Sequence, residues 1–357
     1  MKEKEQNNSK AVSSRLPKWD NLKGLLILCV VIGHFIQTGA EEPDLKLFRT
    51  LFLYIYSFHI PLFIFIMGLF YRRSSDGKLK TDRIWFYLIL YVALKTVILL
   101  VNRMLKGEGS ISLLTEDGTP WYMFATAVYM WLAYLVRHRK PCFVLFGAFL
   151  LGILAGYDNS IGDYLVLSRI LVFAPFFFLG YYLEPKKLTE QMKPVSFQIA
   201  AGVVLLALAI YCSSHLEEVY WYRPLMTGRN AYKKCVDILN CGGWNRILIY
   251  GAALLAGGGI AVLMPNKRLP FLSVCGQRSL SIYFWHRPIL YILDFYLVGD
   301  MFKGYGNLWY QIGWIAAAVL LTFLLSWHVF EIPLEWLSKM SQNRSIRETK
   351  VRKMDMQ

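Results

Sequence analysis

Windows of about twenty nearly all-apolar residues recur along the chain, separated by short polar segments. Ten are visible, with cores at 22–40, 48–71, 84–101, 119–136, 142–156, 163–183, 197–214, 246–264, 278–297 and 308–330. Such windows read as membrane-spanning helices, because lipid offers backbone N–H and C=O groups no partner outside the helix itself. The pattern predicts an all-α, polytopic integral membrane protein with about ten transmembrane helices. Basic residues give it an orientation: with the four at window ends (Lys23, Arg49, Arg246, Arg278) counted in the adjoining segments, 26 of the 39 Lys and Arg fall in the two tails and alternate loops, 10 in the other loops, and three (Lys95, Arg169, Arg287) deep inside windows. An excess of cations marks the cytosolic side, so both termini are expected there. The first apolar window follows a polar stretch, unlike a secretory signal peptide. The expected organisation is a flexible cytosolic tail over 1–17, one membrane domain over 18–335 and a basic cytosolic tail over 336–357.

Composition agrees with a membrane class: 56% of residues are hydrophobic, 16% aromatic and only 18% charged. That aromatic content excludes disorder, and 26 Gly without a period exclude a collagen-like chain. A net charge of +15 would invite a nucleic-acid reading. Sorted by side, however, the charge serves topology, so the expected partner is the lipid bilayer and no nucleic acid. Cys235 and Cys241 share the long outside loop and are a candidate disulfide if that compartment oxidises. None of the six Cys has metal-ligand spacing.

Ionisable residues inside a bilayer each cost roughly 2.5–3.5 kcal/mol on insertion scales, so those that persist ask for a reason. In 20-DNLKGLLILCVVIGHFIQ-37, Lys23 and His34 return to nearly the same helix face with a rise of about 16 Å between them. A cation at the cytosolic edge is thus aligned with an imidazole near mid-membrane. This stripe suits a long substrate with an anionic end, such as a coenzyme A thioester, and His is the side chain best able to take a hydroxyl proton near neutral pH. The plainer alternative has Lys23 snorkelling and His34 making one interhelical hydrogen bond. Two further windows, 57-SFHIPLFIFIMGLFYRR-73 and 279-SLSIYFWHRPIL-290, add His59, His286 and Arg287 at similar depth, as expected of a buried polar cavity. These histidines lack helical pair spacing and a nearby carboxylate, so no metal is expected. Arg72, Arg73, Lys78, Lys80 and Arg83 crowd the next inside loop; topology explains them, and Arg pairs also grip phosphate well. Trp121 and Tyr122 fit an interfacial aromatic belt or a sugar-stacking platform. Gly257, Gly258 and Gly259 fit close helix packing.

Together these segments resemble the membrane-bound acyltransferase family 3, and within it the fucose 4-O-acetylase-like polysaccharide O-acetyltransferases. The resemblance covers about 18–335 and rests on DNLKGLLILCVVIGHF, FHIPLFIFIMGLF, PWYMFA, FFFLGYYL, SLSIYFWHRPIL and FEIPLEWL, in that order. It implies a multi-pass protein of a bacterial plasma membrane that takes acetyl groups from cytosolic acetyl-CoA. The acceptor implied is a sugar hydroxyl of a cell-surface or exported polysaccharide or its lipid-linked precursor, with polysaccharide-synthesis machinery as a partner. The family's first-span histidine falls on His34 and its preceding basic residue on Lys23, where many members have Arg. A Ser-Gly common in relatives is Met67-Gly68 here. The expected catalytic residues are His34, His286 and His59; Lys23, Arg72, Arg73 and Arg83 are expected to hold the donor, and Asp20, Trp121 and Arg287 the acceptor. A secondary transporter or flippase for a glycolipid or organic anion is the competing class, but the halves of the chain show no convincing repeat.

Overall fold

Pro17 opens the first helix where a missing N–H costs nothing, and Asp20 sits in its first turn, where the helix dipole favours an anion. This helix, α1 (Pro17–Ile36), is followed by α2 (Lys46–Phe70), α3 (Thr81–Lys106), α4 (Trp121–Leu135), α5 (Pro141–Leu154), α6 (Leu167–Tyr182), α7 (Pro185–Gln191) and α8 (Val195–Ser214). Two short helices, α9 (Leu216–Tyr220) and α10 (Arg223–Met226), lead to α11 (Gly242–Leu263), α12 (Pro270–Gln277), α13 (Ser279–Leu293) and α14 (Leu308–Leu325). The computed structural model describes residues 16–71, 79–107, 109–116, 118–162, 164–234, 242–298 and 307–341. Within them the only extended pairing is one bridge, Thr115 to Tyr164.

Every one of the ten expected windows holds a helix, but they are not equal. Six (α1, α2, α3, α8, α11 and α14) are long and apolar enough to cross a bilayer, and α6 qualifies only together with α7, which turns away from it by 89°. Helices α4, α5 and α13, at 15, 14 and 15 residues, fall short of the roughly 20 that a straight span needs. Length and apolarity thus support six or seven spans among the described residues, against the ten expected. Two of the short helices border irregular chain. Residues 109–120 lead into α4, and α13 passes into a π-helical turn at Asp294–Val298. Irregular backbone is tolerated in a membrane protein where it lines a cavity, and Glu116, Gly118 and Thr119 of the first segment do so.

Helix α1 is the centre of the bundle, with Leu22, Leu26, Ile27, Val31 and Ile36 fully buried against α2, α12, α13 and α14. Two crossings bring backbones into contact because both partners are glycine. A Cβ on Gly24 of α1 would meet the Leu272 carbonyl, and one on Gly276 of α12 would meet the Asp20 carbonyl. Gly68 of α2 and Gly180 of α6 stand in the same relation to the carbonyls of Phe177 and Phe65. The glycines of α11 contribute less: Gly257 makes ordinary contact with Leu62, Gly259 packs on Leu205, and Gly258 faces open space.

Asn21, fully buried at the start of α1, ties that helix to the chain before α12. Its Nδ2 donates to the carbonyls of Pro265 (3.1 Å) and Lys267 (2.8 Å), and its Oδ1 accepts from Ser273 Oγ (2.5 Å) and Leu269 N (3.3 Å). At the opposite extreme, only 6% of the apolar window of α8 is buried. Its Phe197, Ile199, Val203, Leu206 and Ile210 face outward, as a lipid-facing helix requires.

Candidate active site

His34, near the C-terminal end of α1, meets His286 of α13 ring to ring, with centroids 5.0 Å apart and planes 10° from parallel. His286 is fully buried, and its Nδ1 lies 2.8 Å from the Tyr283 carbonyl and 3.2 Å from that of Ile282. Carbonyl oxygens only accept, so in the neutral ring Nδ1 carries the hydrogen and Nε2 the lone pair. His34 Nδ1 lies 2.8 Å from that Nε2 and is therefore the donor. The lone pair of His34 is left on its own Nε2. Two backbone carbonyls thus fix the tautomer of one ring, and that ring fixes the next, so the atom that can take a proton is determined by the helix geometry of α13. His59 Nδ1 likewise donates to the Ile55 carbonyl at 2.7 Å, which places its lone pair on Nε2.

His34 and His59 line a cavity of about 300 Å³, together with Gln37, Tyr56, Trp121, Tyr283 and Arg287. Its wall also carries four more charged side chains: Arg169 of α6, Arg223, Arg229, and Glu116 in the segment before α4. Arg169 pairs with Glu116 at 3.0 Å and lies 4.5 Å over the Trp121 ring. Glu116 is held there by its loop, because Lys95 Nζ donates to the carbonyls of Ser112 and Thr115 (2.7 Å to the latter). Of the three cations inside apolar windows, Lys95 therefore ties down a loop, whereas Arg169 and Arg287 face the cavity.

A second cavity, of about 230 Å³, is flanked by Lys23 of α1 and by Arg83 in the first turn of α3. Its wall is mainly apolar and aromatic, with Phe63, Met67, Phe70, Tyr87 and Tyr122. Val30, Ile60 and Tyr283 line both cavities and form the partition between them. Tyr283 is held in that position by donating to the Thr119 carbonyl at 2.6 Å.

The structure brings His34, His59, His286, Trp121 and Arg287 together around one space, with His286 behind His34. Trp121 is 5% exposed and so is part of the cavity wall, not of an interfacial belt. Lys23 and Arg83 belong to the other cavity. Asp20 lies beside Lys23 at 2.8 Å, accepts from Gln277 Nε2 at 3.3 Å, and lines neither cavity. Arg72, Arg73 and Lys78 lie outside the described residues, as do Cys235 and Cys241. Sequence reasoning missed Glu116, Tyr283, Arg223 and Arg229. It noted Arg169 only as a cation in a window, although the insertion cost that singled out Arg287 applies equally to it. A separate trio, His328, Glu331 and Glu335, brings ligand atoms within 4.8 Å of one another. There Glu331 already pairs with Arg278 at 3.0 Å.

The geometry thus assembles a histidine pair at a polar cavity, divided by three side chains from a second, mainly apolar one. A family model described as an acyltransferase domain, that of acyltransferase family 3, matches residues 16–327. The chain belongs to this family and is a multi-pass membrane acyltransferase, not the transporter that apolar windows alone also allowed. No curated protein and no solved structure shows significant similarity to it.

Proposed function

We propose that the enzyme is an O-acetyltransferase of the fucose 4-O-acetylase-like kind, which moves acetyl from cytosolic acetyl-CoA to a sugar hydroxyl beyond the opposite face of the plasma membrane. The observation that carries this reading is the pair of cavities meeting at Val30, Ile60 and Tyr283, with His34 just past the meeting point. The cavity flanked by Lys23 and Arg83 takes the donor. Its cations receive the coenzyme phosphates, joined by Arg72 and Arg73, and the aromatic slot takes the pantetheine arm. The acceptor occupies the polar cavity, with its hydroxyl against His34 Nε2.

His34 takes the hydroxyl proton on Nε2 as the oxygen attacks the thioester carbonyl. A C–O bond forms, the C–S bond breaks, and the proton passes from Nε2 to the departing sulfur. While His34 is protonated, its Nδ1–H remains bonded to the His286 lone pair, which stabilises the imidazolium; this is how a third group serves a base in other activated sites. Arg287 lines the same cavity as His34 and supplies the positive charge that a developing oxyanion needs, while His59, with its lone pair on Nε2, is a second acceptor for the hydroxyls of the acceptor sugar. The test is transfer of labelled acetyl by purified protein in proteoliposomes, combined with the masses of surface glycans from a deletion strain. His34→Ala should fold and bind acetyl-CoA yet lose transfer, and glycans of the deletion strain should lose acetyl groups. A folded His34→Ala protein with full transfer refutes the assignment.

A further inference from the structure

The cavity around His34 is markedly cationic. Four guanidinium groups line it, those of Arg169, Arg223, Arg229 and Arg287, against one carboxylate, Glu116, among the described residues. Two of the four have a carboxylate partner, Arg169 in Glu116 and Arg223 in Glu41 at 2.8 Å, and Arg287 has no carboxylate within ion-pair distance among the described residues. Arg287 lies 4.7 Å over the Tyr291 ring, and its Nε is buried without a hydrogen-bond partner, as is the Nε of Arg169. Buried donors of this kind are normally satisfied. A guanidinium is always charged, and its planar fork of donors matches the two oxygens of a carboxylate or phosphate. A neutral sugar offers hydroxyls, which can accept from the fork but do not discharge the excess.

We propose that the acceptor is anionic: a glycan whose carboxylate or phosphate is gripped by Arg287 and Arg169 while a nearby hydroxyl meets His34 Nε2. This deepens the acetyl-transfer reading and rests on it for the identity of the reaction. The anion serves as the anchor that orients a flexible sugar, so the hydroxyl modified lies within one sugar unit of the charged group.

The experiment uses full-length protein in lipid nanodiscs without acetyl-CoA, and titrates three probes built on one trisaccharide. One probe ends in glucose, one in glucuronate, and one ends in glucose but is carried on a short polyprenyl diphosphate. At least one anionic probe should bind tenfold or more tightly than the neutral one; which of the two does so separates a sugar carboxylate from a carrier phosphate. Arg287→Gln should reduce the preference to below threefold and Arg287→Lys should restore part of it, with acetyl-CoA affinity unchanged in both. Equal binding of all three probes overturns the proposal. So does displacement of the anionic probe by desulfo-CoA, since that would assign the guanidiniums to the donor. If the anionic preference holds but the protein neither binds acetyl-CoA nor transfers acetyl, the anion site stands and the acetyl-transfer reading fails.

Discussion

Replacing His286 by leucine removes the acceptor 2.8 Å from His34 Nδ1 without adding bulk to the cavity. Two responses are open to His34, and both impair it as a base. It can keep its hydrogen on Nδ1, now a buried donor without a partner, at a cost of about 1–3 kcal/mol. Alternatively it can move the hydrogen to Nε2, which places a proton on the atom that must take one. The reactive tautomer is therefore disfavoured by about 1–3 kcal/mol, or roughly 5- to 150-fold in population. The protonated intermediate also loses its charge-assisted hydrogen bond, so the fall in kcat is expected near the top of that range, about 10²-fold. His286→Gln keeps an oxygen able to accept from Nδ1–H and should recover part of the loss. KM for acetyl-CoA should change little, because His286 lines neither cavity. The assay is the initial rate of labelled acetyl transfer at saturating acetyl-CoA, with thermal melts to show that each variant is folded. A folded His286→Leu enzyme within threefold of wild-type kcat would refute the tautomer argument, and so would a Gln variant no better than Leu.

Glu116→Gln leaves Arg169 without its anion where the Glu116 side chain is 2% exposed; Gln can still accept a hydrogen bond, so the expected loss is about 1–3 kcal/mol, smaller than the roughly 3–5 for a fully broken buried pair, read as a lower melting temperature. Gly68→Ala should destabilise by about 1–3 kcal/mol, because its Cβ meets the Phe177 backbone, which cannot rotate away, whereas Gly258→Ala, with open space around it, should be neutral or slightly stabilising in the same melt. Val30→Ala widens the partition between the cavities, so kcat/KM for propionyl-CoA relative to acetyl-CoA should rise roughly tenfold, the worth of one methylene in a fitted pocket; an unchanged ratio would show that the acyl group does not pass Val30.

Depth along each helix was legible in the sequence, and lateral neighbourhood was not. Eleven residues of helix rise separate Lys23 from His34, and the structure divides them between two cavities as that rise requires. The meeting of His34 with His286 crosses 252 residues of chain, and no local spacing encodes it; only the equal depth of two costly side chains pointed there. DNLKG shows a motif read too narrowly. Its Lys reaches a cavity wall, but Asn21 fastens α1 to the chain before α12 and Gly24 lets α12 approach. Two of its five positions are therefore explained by packing rather than chemistry. Glu116 carries no signal at all: it sits in a polar loop that looks like any connector until Lys95 folds it inward. A hydropathy window cannot separate a helix from the irregular chain that continues it, as at Asp294–Val298 after α13, so the ten windows hold, among the described residues, six or seven helices that meet a length and apolarity test for crossing a bilayer.

The division of charge between the cavities follows from what each substrate can carry into a membrane. On the proposed reaction, the coenzyme keeps its phosphates at Lys23 and Arg83, since each charge taken into hydrocarbon would cost several kcal/mol. Only the neutral thioester end needs to advance along the aromatic slot. An acceptor approaching from the other side meets the opposite requirement. Its sugars are flexible, and one of them must be held long enough for one hydroxyl to face one nitrogen, which a cluster of fixed cations achieves for an anion at little entropic cost. The three side chains between the cavities then need to admit nothing larger than the acyl group. Such a partition also keeps bulk water on the acceptor side from reaching the thioester, so an enlarged partition should raise futile hydrolysis of acetyl-CoA together with tolerance for longer acyl chains. Val30→Ala tests both at once: a gain in propionyl transfer without a gain in acetyl-CoA hydrolysis would mean that water is excluded elsewhere, at the mouth of the polar cavity rather than at Val30, Ile60 and Tyr283.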